Sequence, residues 1–365
     1  MTTKGDIRIF SEVLKTAAKY SYPYANVKFD NSTLLNNDYS QVLDILFRNQ
    51  VLLTCHRNLS KTSQYGSLLE LQRSIEEKIN KERILIIDVK QKLEEMDRLF
   101  EVYGIRYLLP KFTFFYREHH DIDVLVSLED FNLTLGSLKS NGYVITSIQS
   151  PWKVTTAKWM GGRRSSIHVH SRLHWYPWDP LELVPSSKLW ERTIPFDFNS
   201  LKLSVPCPED GILVLAAHAI FENHQISLSD VFQLEGILRE FHEIKWREII
   251  DIAFEHGWCA DLCTFLKVVN CLSISLYGKI LVPESIFSYA EKRISSLERV
   301  VRKLAGNIDL SSIPCVYPFP QVGISFMHVV FKRYGLNTVA KLIDGFVYFA
   351  IYQLKSPHGD PCAQI

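Results

Sequence analysis

The sequence predicts an α+β protein, in which a small mixed β-sheet core at 104–205 lies between a helical N-terminal region, 1–103, and a helical C-terminal region, 206–365. Three observations predict it. Apolar residues recur at helical spacing up to Tyr103 and again from Pro208, whereas between them they fall in short runs that alternate with period two. A glycine, Gly104, stands where the first helical pattern stops, as a C′ residue would. The dipeptide Gly161-Gly162 separates two strand-like runs, as a tight hairpin turn requires.

Composition narrows the class. Of the 365 residues 47% are hydrophobic and 22% charged, enough apolar surface for packed cores and too much for a disordered chain. Lys and Arg number 41 against 40 Asp and Glu, so a basic site must be local rather than the whole surface. The longest apolar candidate for a membrane span, Val339 to Leu354, is interrupted by Lys341 and Asp344, so no membrane partner is expected. The N-terminal MTTKGDIRIFSEV has no apolar signal core, and a cytoplasmic location is expected. Seven scattered cysteines without a CxxC read as reduced thiols, and Cys259 and Cys263, one helical turn apart, lack the second ligand pair of a zinc site.

Taken in order, Leu68 to Tyr103 carries Leu69, Leu71, Ile75, Ile79, Ile84, Ile86, Val89, Leu93, Met96 and Leu99 at roughly helical spacing, with Glu and Lys between them as a solvated face. Ile105 to Leu109, bounded by Pro110, reads as a short strand, and DIDVLV at 121–126 as a strand entering a core. Ser127 is placed to cap a helix with Leu128, Phe131, Leu135 and Leu138 on one face, closed by Gly142. After a strand at 143–148 the chain turns through a hairpin over 153–175. A two-residue turn would set Met160 opposite Arg163, His168 opposite Thr155 and His170 opposite Lys153. Helices follow from Pro208.

Chemistry concentrates at Asp121-Ile122-Asp123. Strand side chains alternate, so both carboxylates project from one face while Ile122 and Val124 enter the core. Two carboxylates on one face can hold a divalent cation; Mg²⁺, which keeps waters and takes substrate phosphates, suits an open pair. His168 and His170 share a strand face, with His174 beyond, and could extend such a site. Five of the seven tryptophans, at 152, 159, 175, 178 and 190, lie near Lys153, Arg163, Arg164 and Arg172, a mixture that suits bases and phosphates as well as ordinary packing.

Together, Tyr107-Leu108-Leu109-Pro110-Lys111, His120 to Val126, Ile167-His168-Val169-His170-Ser171-Arg172-Leu173 and the run from Pro208-Glu209-Asp210 through His218 to Leu228-Ser229-Asp230 resemble the DNA polymerase β-like nucleotidyltransferase superfamily. They are most similar to the nucleotidyltransferase family with a DIDxLV strand and a later acid-x-His strand. The likeness spans about Gly104 to Gly257. It implies a nucleotidyltransferase-like core that moves a nucleoside monophosphate from an NTP to an acceptor, whether RNA, a protein or a small molecule. It also implies Mg²⁺, or Mn²⁺ in its place, on Asp121 and Asp123. Lys111 and Arg117, from the preceding loop, would then meet triphosphate charge, while Lys153, Arg163 and Arg164, beside the tryptophans of the hairpin, are the candidates for binding a nucleotide or single-stranded RNA. Pro110-Lys111-Phe112 stands where the family has a glycine. The third carboxylate position is His168, whose imidazole ligates Mn²⁺ or Zn²⁺ better than Mg²⁺ and can also serve as a general base. A non-catalytic nucleotide- or RNA-binding protein on the same fold is the second reading, and metal-dependent hydrolysis at the His/Asp cluster the third.

Overall fold

The computed structural model describes residues 91–111, 121–160, 163–173, 182–198 and 201–294, together with 76, 299, 315 and 316. The long helical pattern from Leu68 is seen from 91, where helix α1 (91–103) buries Leu93, Met96 and Phe100 and ends at Gly104 with φ 66°. Strand β1 (Tyr107–Leu108) follows, then β2 (Asp121–Val126), helix α2 (Phe131–Ser140), β3 (Val144–Ser150), β4 (Lys153–Met160) and β5 (Arg163–His170). These strands form one sheet in the order β1-β2-β5-β4-β3, with β2 and β5 parallel and the other pairs antiparallel. The fold is therefore α+β with a small mixed sheet.

The hairpin register matches the expectation residue for residue. Met160 faces Arg163, Thr155 faces His168 and Lys153 faces His170. The strand ends at His170, short of the 175 that the sequence suggests. Helix α2 begins later than its apolar pattern implies. Ser127 and Asp130 hydrogen-bond within the turn before it, and Leu128 is 55% exposed, while Phe131 and Leu138 pack inward. Asp130 rather than Ser127 occupies the N-cap position, so the register of the inward face starts at Phe131.

The sheet separates two hydrophobic cores, and this separation positions the site. Ile122, Val124 and Val126 of β2, Val154 of β4, and Ile167 and Val169 of β5 pack with α1 and α2. Leu125, on the opposite face, joins a second core built mostly from the C-terminal helices. Alternation along the strand thus sends Asp121, Asp123 and Leu125 toward the helical half.

Before that half come a short helix α3 (Ser186–Glu191), whose Leu189 joins the helical core, and the hairpin of β6 (Thr193–Phe198) and β7 (Leu201–Pro206), which packs on the core of α1 and α2. Ile194, Phe196 and Phe198 of β6 and Leu201, Leu203 and Val205 of β7 alternate toward that core. Helix α4 (Pro208–Ala217) then opens with Pro208 at its first position and Glu209 and Asp210 in its first turn, where proline's fixed φ and the helix dipole favour them. It runs directly into a π-helical turn, His218–Glu222, followed by β8 (Gln225–Ile226). Helices α5 (Leu228–Glu240), α6 (Trp246–Glu255), α7 (Cys259–Tyr277) and α8 (Glu284–Arg293) complete the helical core, and β9 (Cys315–Val316) pairs with β8. Among the described residues no helix is long and apolar enough to cross a membrane.

Candidate metal and nucleotide site

Parallel pairing of β2 with β5 puts Asp121 beside Ser166, Asp123 beside His168 and Leu125 beside His170. The antiparallel partner β4 continues each row, so Asp123, His168 and Thr155 line up across three strands, as do Leu125, His170 and Lys153. Side chains in such rows lie side by side on one face. The acid pair, two imidazoles and one ammonium are thereby gathered by register alone.

His168 Nδ1 lies 3.1 Å from Asp121 Oδ2 and 3.6 Å from Asp123 Oδ1. Asp121, Asp123 and His168 each offer a ligand atom, and these atoms all lie within 4.8 Å of one another; no other such group occurs among the described residues. His170, 1% exposed, holds Asp123 Oδ1 through Nε2 at 2.8 Å. Burial pushes the His170 imidazole down to about 3 against the pull of Asp123, so the ring is neutral and donates Nε2–H to the carboxylate. It fixes the orientation of Asp123 from inside the protein, the ordering role that a strand histidine most simply plays.

Lys111, beyond Pro110, places Nζ 3.4 Å from Asp123 Oδ2 and 2.8 Å from Glu222 Oε2. Lys153 places Nζ 3.4 Å from the other oxygen of Glu222. Burial alone would raise the Asp123 carboxyl, but Lys111, with hydrogen bonds from His168 and His170, outweighs it and holds the group well below its usual range. Glu222 is held low in the same way, by Lys111, Lys153 and His218 against the effect of burial. Burial would lower Lys111, yet Asp123 and Glu222 raise it. Asp123 and Glu222 are therefore held as carboxylates and Lys111 as an ammonium, around the neutral ring of His170.

The donor set fits a divalent cation. Two carboxylates and an imidazole nitrogen within reach of one point favour a first-row ion such as Mn²⁺ and accommodate Mg²⁺ through the oxygens. In the same row Thr155, 6% exposed, has a hydroxyl without a hydrogen-bond partner among the described residues. It could bind a water of such an ion.

Of the residues expected at the site, the structure brings together Asp121, Asp123, His168, Lys111 and Lys153. Arg163 and Arg164 begin β5, and a strand rise of about 3.3 Å per residue puts their Cα atoms about 16 and 13 Å from that of His168. Neither is a register neighbour of the acid pair. Arg117, His174, Trp175 and Trp178 lie outside the described residues. Trp152 carries the Arg172 guanidinium 4.4 Å from its ring centroid, and Trp190 carries Arg106 at 5.1 Å while packing on the helical core.

Glu222 is a site residue that the sequence does not announce. It stands four residues after His218, but no sequence pattern marks a π-helical turn, and Lys111 lies 111 residues away. The turn is closed by the Asn223 amide donating to the His218 carbonyl, five residues back.

The mixed sheet carries its acid pair on β2, one of two parallel strands, beside Lys111 and Lys153 and facing a helical half. The chain belongs to the family described as uncharacterised nucleotidyltransferase, whose model matches residues 36–273. A solved structure, the lincosamide antibiotic adenylyltransferase LnuA with lincomycin bound, matches at 14% identity over 40% of this chain and 94% of that one, with a TM-score of 0.30. Comparison with curated proteins finds no match.

Proposed function

We propose that the protein is a metal-dependent nucleotidyltransferase that moves a nucleoside monophosphate from an NTP to a hydroxyl-bearing acceptor, RNA, protein or small molecule. The convergence of Asp121, Asp123 and His168 on one point, with two lysines alongside, carries this reading. Residues 104–205 form the transfer core in it, and the helical region from 206 forms the opposite wall.

Asp121 and Asp123 would hold Mg²⁺ or Mn²⁺, which when bound supplies charge neutralisation at the triphosphate. Lys111 and Lys153 bind triphosphate oxygens as point charges. His170 keeps Asp123 oriented, and burial behind the sheet excludes water from that contact. The acceptor oxygen attacks the α-phosphorus as the bond to pyrophosphate breaks. His168, whose Nδ1–H donates to Asp121, keeps Nε2 as the basic atom and takes the acceptor's proton there. This arrangement of a base oriented by a carboxylate recurs wherever an imidazole must present one tautomer.

The test incubates the full chain with labelled NTPs and pools of RNA, protein and small metabolites, with Mg²⁺, with Mn²⁺ and with chelator. Transfer that needs a divalent ion and disappears in Asp121→Asn supports the assignment. Tight NTP binding without transfer in any pool would instead make the protein a nucleotide-binding member on a silent fold.

A further inference from the structure

Glu222 accounts for an oddity of the lysine pair. Lys111 and Lys153 arrive from different elements, a loop and β4, and both are largely withdrawn from water, with side chains 15% and 4% exposed. They converge on opposite oxygens of one carboxylate, Lys111 on Oε2 at 2.8 Å and Lys153 on Oε1 at 3.4 Å. Two ammonium groups spanning two oxygens of one anion is how lysines grip a phosphate. Here the anion is the protein's own, and Lys111 stands between it and Asp123.

The element that presents Glu222 is itself unusual. A π-helical turn inserts one residue into the helical path and rotates the residues after it by about 100° relative to a continued α-helix, and such turns are frequent at functional sites. His218, at the start of the turn, contacts Glu222 Oε2 at 3.4 Å, and its Nδ1 lies 3.2 Å from the Asn223 side-chain amide. Glu222 thus belongs to the helical wall, while both of its lysines belong to the sheet side.

We infer that Glu222 is an internal counter-anion occupying the phosphate position of Lys111 and Lys153, which a triphosphate must displace from the lysines on binding. It is a specificity residue rather than a group in the chemical step. A triphosphate carries enough charge to replace one carboxylate on both ammonium groups, whereas a monophosphate offers little gain over it, so the exchange selects polyanions. The inference rests on the nucleotidyl-transfer reading for the identity of the natural ligand, but the anion exchange itself does not require turnover.

The experiment measures binding of ATP, inorganic tripolyphosphate and AMP to the full chain by calorimetry, for wild type and Glu222→Gln. Glu222→Gln should bind ATP and tripolyphosphate about tenfold tighter, a gain of about 1.4 kcal/mol, and AMP, which no longer has a carboxylate to displace, should gain by a comparable factor. Equal or weaker tripolyphosphate binding in Glu222→Gln overturns the inference, since a carboxylate that merely organised the lysines would be missed. If neither protein binds ATP but Glu222→Gln gains for tripolyphosphate, the transfer reading falls and the counter-anion stands. Should Glu222→Gln fail to fold, hydrogen exchange on wild type decides. ATP should speed exchange in 218–224 as the turn releases its lysines, and protection there would overturn the inference.

Discussion

Two clusters of buried charge in this molecule have similar composition and opposite character. On the sheet, Asp121 and Asp123 stand two residues apart on one face, with lysines and a neutral imidazole gathered around them. In the helical half, Arg192 at the end of α3 forks between Asp210 of α4 and Glu248 of α6, with Nε 3.0 Å from Asp210 Oδ2. Asp210 is 1% exposed and also accepts from the Cys207 thiol at 3.4 Å. Glu209 beside it accepts the Lys245 amide at 3.0 Å, tying α4 to the start of α6. The Arg192 cluster joins three elements through one planar guanidinium, and its acids come from separate helices. The sheet cluster forces two acids into the same row space and closes the charge with flexible ammonium groups. Like charges held close by a rigid strand are costly unless a cation sits between them, so in the proposed function the sheet cluster serves binding where the Arg192 cluster ties elements together.

Substitutions can break or sharpen that contrast. The largest effect is expected for Asp121→Asn, which should lower nucleotidyl transfer at least about 100-fold while folding stability stays within about 0.5 kcal/mol. A radiolabel transfer assay and a urea melt on the same preparation check both halves. A stability loss in Asp121→Asn would place the acid pair with the structural cluster instead.

Asp123 tests whether one residue can belong to both kinds. Its carboxyl is held below its ordinary range chiefly by Lys111, so ionised Asp123 stabilises the fold at neutral pH. Asp123→Asn should therefore lose transfer and also about 3 kcal/mol of stability, read from the shift in denaturation midpoint. Arg192→Met should cost about 2 kcal/mol, less than a wholly buried pair because its side chain is 25% exposed, and should leave nucleotide affinity of the folded protein unchanged. Reduced affinity in Arg192→Met would mean that the two clusters communicate.

A smaller effect concerns ion choice. His168→Asp puts a hard oxygen beside the acid pair and should raise the ratio of Mg²⁺- to Mn²⁺-supported transfer about tenfold. An unchanged ratio would put position 168 outside the ion's reach. The smallest is a reactivity difference between thiols. Burial and Asp210 push the Cys207 thiol up to about 12, so at pH 8 it should alkylate far more slowly than exposed Cys271, as peptide mapping after iodoacetamide would show. Equal rates would mean that the Arg192 cluster opens in solution.

Much of the sheet cluster is legible in the sequence because it is written in local spacing. DIDVLV declares its face by period two, and the two glycines at 161–162 fix a register that puts His168 opposite Thr155 and His170 opposite Lys153. The β6–β7 hairpin carries the same period two, Ile194, Phe196 and Phe198 against Leu201, Leu203 and Val205, though β6 is only half-buried. Leu128 misleads: it is an apolar residue at helical spacing that falls before the capping turn has ended. Glu222 is not legible at all. Its place depends on a rotation within a helix and on lysines from distant parts of the chain, and neither leaves a period in the sequence.

The parallel pairing of β2 with β5 also imposes an order of assembly. Lys153, Thr155, His168 and His170 lie on strands that are neighbours in sequence and align when one hairpin closes, an event of microseconds. Asp121 and Asp123 join only after the chain has returned from α2, β3 and β4, because parallel neighbours cannot be linked by a tight turn. Glu222 reaches Lys111 across a separation of 111 residues, the longest closure of the three. During synthesis the imidazoles and Lys153 therefore meet before the acids are docked, and the carboxylate from the helical wall arrives last, once the sheet beneath it is already in place.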